Sequence, residues 1–120
     1  MLKFSIAVAA LMATLQPSFA GEADVLGVKV TKSGNGTYNF SVTVEHADAG
    51  WEHYADKWEV VTLDGKVLAT RVLAHPHDNE QPFTRSKSGI KVPEGTTEVI
   101  IRAGDSKHGL GGKEMKVKLD

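Results

Sequence analysis

The chain has 120 residues, with 14 basic against 15 acidic side chains, five histidines and no cysteine. This near-neutral balance offers no electrostatic footprint for nucleic acid or an anionic membrane surface. The lack of cysteine excludes disulfides, thiolate metal ligands and a cysteine nucleophile, so any bound metal must rely on imidazole, carboxylate, main chain or water.

Residues 1–20 read as a signal peptide. Met1-Leu2-Lys3 is a short basic start, Phe4 to Leu15 is apolar, and Ser18-Phe19-Ala20 supplies a small-x-small cleavage site. The expected product, residues 21–120, is a periplasmic or secreted chain without a membrane span, whose length suits one domain with one core. Without Lys3 its charge balance is 13 basic against 15 acidic groups.

Seven strands are predicted in that domain, over residues 25–32, 37–45, 57–63, 66–73, 84–92, 97–103 and 113–119. Period-two alternation carries them. Leu26, Val28 and Val30 share one side of the first, and Tyr38, Phe40, Val42 and Val44 share one side of the second. Asp64-Gly65 is a hairpin signal between the third and fourth, and "PEGT" separates the fifth from the sixth. Met115, Val117 and Leu119 repeat the alternation at the end. Seven short strands in about a hundred residues point to an all-β, immunoglobulin-like seven-stranded antiparallel sandwich, with Trp58 as its core aromatic.

Strand direction alternates in such a fold, so successive connections alternate between its two ends. "SGNG", "LDGK" and "PEGT" fall at one end and contain no histidine. The other end collects "HADAGWEHYAD", "AHPHDNEQPF" and "GDSKHGLGG", and with them His46, His53, His75, His77 and His108. Loops on a rigid sandwich are where binding groups usually sit.

Imidazoles converging from three loops suit a transition metal such as Cu, Fe or Zn. The leading ligand set is His53, His75, His77 and His108, with His46 as a fifth. His75-Pro76-His77 is a His-x-His spacing, which in extended chain puts both rings on one side, able to meet one ion or to diverge. Pro76 and Pro82 restrict that loop. Asp78 and Glu80 are either ligands, orienting partners or solvated acids, and Arg85 can pair with one of them. The glycine-rich segment after His108 has no lysine at phosphate-loop spacing.

"HADAGWEHYADKWEVVTLDGK" followed by "SKHGL" resembles the iron-binding domain of superoxide reductases of the desulfoferrodoxin and neelaredoxin type, itself an immunoglobulin-like sandwich. The resemblance implies that His46 and His53 match a histidine pair before the strand tryptophan, here Trp58. It also implies that His108-Gly109-Leu110 matches a Cys-x-x-His-Gly-Leu segment. Asp105 stands where that family has its cysteine, and the family's further upstream histidine has no counterpart. At the level of fold alone, the chain is also similar to small periplasmic copper carriers with histidines at one end of a β-sandwich.

Three functional readings follow. The first is an exported metal-binding protein, with a periplasmic protein as a further partner. The second is a superoxide-reductase-like redox enzyme with non-haem iron or copper. The third is a metal-free module in which "GWEHY" and "HPHDNEQPF" bind a protein or glycan.

Overall fold

The computed structural model describes residues 21–119, and the expected signal segment 1–20 lies outside them. Regular structure among the described residues is all strand: β1 (Asp24–Gly34), β2 (Thr37–Glu45), β3 (Ala55–Val61), β4 (Val67–Val72), β5 (Phe83–Lys91), β6 (Glu98–Asp105), β7 (Gly109–Leu110) and β8 (Met115–Lys118). No helix among them is long and apolar enough to cross a membrane.

The strands form two antiparallel sheets. One has the order β1-β2-β5, and the other β4-β3-β6-β7 with β8 also paired to β6. Tyr38, Phe40, Val42 and Val44 from the first sheet and Trp58, Val60, Val99 and Ile101 from the second share one buried cluster. This arrangement is compatible with a β-sandwich, in which apolar faces of two sheets interdigitate. Trp58 is fully buried, as its place on the third strand predicts.

Two local departures from the predicted strands have physical causes. A register shift between Val25 and Gly27 sends Val25 into the core and leaves Leu26 42% exposed. A bulge of this kind reverses the inward and outward sides along a strand. The last predicted strand is shorter than expected, and the two-residue β7 inside the preceding loop pairs with the end of β6, Gly104 opposite Leu110 and Asp105 opposite Gly109.

Pairing registers fix which segments meet. Asp24 lies opposite Glu45, Val44 opposite Phe83, Ala55 opposite Asp105, and Lys57 opposite Val72. The end of β2, the start of β3, the end of β4, the start of β5 and the end of β6 therefore share one end of the molecule. The start of β1 joins them there.

Candidate metal centre

His46 follows the last residue of β2, and its ring is buried with 0% of the side chain exposed. His53 precedes β3, and Asp105 is the last residue of β6, also with a fully buried side chain. The His46 and His53 Nε2 atoms are 3.3 Å apart. Asp105 Oδ2 is 2.7 Å from His53 Nε2 and 3.6 Å from His46 Nε2. His108 closes the group from the β6–β7 turn, with Nδ1 2.9 Å from the same Asp105 oxygen and its ring 4.9 Å from that of His53.

Donor atoms that share one ion at about 2.1 Å lie about 3.0 Å apart in octahedral and about 3.4 Å apart in tetrahedral geometry. The three separations among His46, His53 and Asp105 straddle these values. The three residues thus form a group able to hold a metal ion.

The hydrogen bonds around His46 suit a metal ligand. Asp48, with no side-chain exposure, has Oδ1 2.6 Å from His46 Nδ1. A carboxylate accepts, so Nδ1 carries a proton, and in the Nδ1–H tautomer the lone pair of Nε2 turns inward. That lone pair meets the His53 ring and the Asp105 carboxylate. A metal ion at this point would take the two Nε2 atoms and the carboxylate together. The carboxylate–imidazole contact also orients the ring, as in known metal sites.

Burial by itself would raise the Asp105 carboxyl, but hydrogen bonds from His108 and His53 outweigh it and hold the group below its ordinary 3.8. Its anionic form is therefore favoured. A cavity of about 320 Å³ opens beside His46, with Glu22, Asp24 and Glu45 among its lining residues, an acidic rim suited to cation entry. A larger depression, about 650 Å³, lies near the histidine-free turns and is lined by Lys32 and Lys91 with Glu94 as its single acid.

His75 and His77 stand apart from this group. Their rings are 4.8 Å from each other, as the His-x-His spacing allows. The buried His77 ring stacks on Phe83 at 3.9 Å and 12°, and Arg85 Nη2 donates to His77 Nε2 at 3.0 Å. That donation occupies the lone pair a metal would need. Burial first, then the Arg85 charge, lowers the His77 pKa below 6.5. His77 is instead tied to the site through its backbone, whose amide donates to Asp48 Oδ2 at 2.6 Å. His75 is exposed. Asp78 accepts from the Gly50 amide at 3.2 Å, and Glu80 pairs with Arg85 at 3.4 Å.

Asp48 and Asp105 are the residues that the histidine count passes over. His46-Ala47-Asp48 is itself a one-residue spacing that can place two side chains on one side, and Asp105 lies three residues before His108. Gln81 completes the loop network, its Oε1 accepting from the His46 amide at 2.9 Å and its Nε2 donating to the His77 carbonyl at 3.1 Å.

No family model matches the chain, and no solved structure matches it. A relative from Halomicrobium mukohataei, named "Putative lipoprotein", is 48% identical over 99 residues that cover 82% of this chain and 48% of the relative. The chain spans about half the length of the relative it matches.

Proposed function

We propose that the protein is an exported metal-binding protein, with an immunoglobulin-like sandwich holding one transition-metal ion through His46, His53 and Asp105 and with His108 at its exposed side. The observation that carries this reading is the meeting of two imidazole Nε2 atoms and a buried carboxylate oxygen within 3.6 Å. A nitrogen and oxygen donor set without sulfur suits Zn(II), Fe(II) or Cu(II) over Cu(I). Export is supported by the signal-like segment and by the word lipoprotein in the name of the relative.

Metal titration of residues 21–120, with each histidine changed to alanine, tests the reading. Loss of tight binding is expected in His46→Ala and His53→Ala, a smaller loss in His108→Ala, and little change in His75→Ala. Binding should weaken as pH falls from about 7 to about 5, because imidazoles must be neutral to ligate. Equal binding by His46→Ala, His53→Ala and the parent chain removes the proposal.

The second reading is a redox centre similar to superoxide reductase. It is favoured by Asp105, which stands at the cysteine position of that motif and contacts both His53 and His108. Rapid mixing of the iron- or copper-loaded protein with superoxide tests it. Decay of superoxide no faster than with the metal-free protein rules out this chemistry.

A further inference from the structure

We propose that the main-chain carbonyl of Gly21 is a fourth donor of the metal centre, so that the segment leading into β1 is a built part of the site. The inference rests on the metal-binding reading above. The Gly21 oxygen is 2.9 Å from His46 Nε2 and 3.2 Å from His53 Nε2. These are the separations expected of donors around one ion of about 2.1 Å bond length. The Asp48 carboxylate on His46 Nδ1 suits the tautomer whose Nε2 turns to a metal ion beside this carbonyl. A cation placed among these atoms would take both imidazoles and the carbonyl as donors. A borderline or hard divalent ion that accepts mixed nitrogen and oxygen donors fits the set.

The carbonyl is held there by the fold. Ala23 and Val25 are fully buried. The Val25 amide donates to the Lys113 carbonyl at 2.8 Å, and the Lys113 amide donates to Asp24 Oδ1 at 2.7 Å. A Cβ on Gly112 would come within 2.0 Å of the Ala23 carbonyl oxygen, so the two segments are in backbone contact. The lead-in to β1 is thus clamped between the end of β2 and the segment before β8.

Only glycine fits at position 21. Its φ is +130°, and an added Cβ would lie 2.4 Å from His108 Cε1. A side chain there must displace either the His108 ring or the carbonyl. The close approach that brings the main chain onto three histidines is what the missing side chain permits.

The test uses residues 21–120 with the N-terminal amine acetylated, so that it cannot chelate, labelled with carbonyl-¹³C glycine and loaded with Cu(II). Electron–nuclear resonance should detect a ¹³C coupling that disappears in equally labelled Gly21→Ala, where every other glycine still carries the label. Cu(II) and Zn(II) affinity of Gly21→Ala should fall at least tenfold, with a chain beginning at Ala23 as the second variant should Gly21→Ala fold poorly. Unchanged ¹³C coupling and affinity in these variants, alongside lost binding in His53→Ala, overturns the Gly21 ligand and leaves the histidine site standing. Unaltered binding in both His46→Ala and His53→Ala removes the metal reading and this ligand with it.

Discussion

Asp48 ties the β2–β3 loop to the start of β3 and to the β4–β5 loop through two oxygens. Oδ1 takes His46 Nδ1 at 2.6 Å and the Ala55 amide at 3.0 Å, and Oδ2 takes the His77 amide at 2.6 Å. Asp48→Asn keeps the shape but replaces one acceptor by an N–H group. Losing the carboxylate that orients a ligand histidine should weaken metal affinity roughly 10- to 100-fold, measured by competition with a chromophoric chelator. An unchanged affinity would reduce Asp48 to a loop staple. His77 supplies the contrasting case: His77→Ala removes a buried ring stacked on Phe83 and should cost about 2 kcal/mol of stability. Its metal affinity should stay within about threefold of the parent chain, since Arg85 occupies Nε2 and such a ring contributes no ligand. Urea unfolding and metal titration of the same sample separate the two effects.

At the scale of elements, the β3–β4 hairpin makes the most local prediction. Gly65 has φ +95°, its amide donates to the Thr62 carbonyl at 2.9 Å, and Thr62 Oγ1 donates to Asp64. Gly65→Ala should cost about 1–3 kcal/mol by forcing a side chain into this backbone conformation, read as a shift of the urea midpoint. The turn was legible because Asp-Gly demands a particular backbone, and β2 was legible because Tyr38, Phe40, Val42 and Val44 alternate without interruption. The one-ended grouping of histidine-bearing loops followed from strand direction alone. Leu26 was misplaced because a bulge leaves no mark in the alternation. The membership of the site was less legible than its location. Which ring turns inward depends on loop paths set by Asp48 and Gln81, whose hydrogen bonds cross 29 to 35 residues of sequence. The approach of Gly21 was implicit in the same topology, because β1 begins at the end where β2 finishes.

For the whole molecule, two protonation events and one binding event act on stability in separable windows. The folded chain holds His77 below 6.5 and Asp105 below 3.8. A depressed histidine means that the unfolded chain takes up a proton first as pH falls. The His77 contribution is therefore complete above pH 6.5 and is lost as pH falls from there through its lowered folded value. The Asp105 contribution is complete above pH 3.8 and is lost as pH falls through the lowered carboxyl value, where the unfolded chain again binds the proton first. Metal-free protein should accordingly lose stability on acidification from pH 7 to pH 5, and His77→Ala should flatten that slope. Metal adds a third term. At a free ion concentration 100 times Kd it contributes about 2.7 kcal/mol, or roughly 10–20 °C in Tm for a domain of this size. Chelator should remove that gain at pH 7, and the gain should shrink towards pH 5 as the ligand imidazoles protonate. His77→Ala should retain the chelator-sensitive term while losing the other slope; loss of both together would place His77 among the ligands, against the geometry around Arg85 and Phe83.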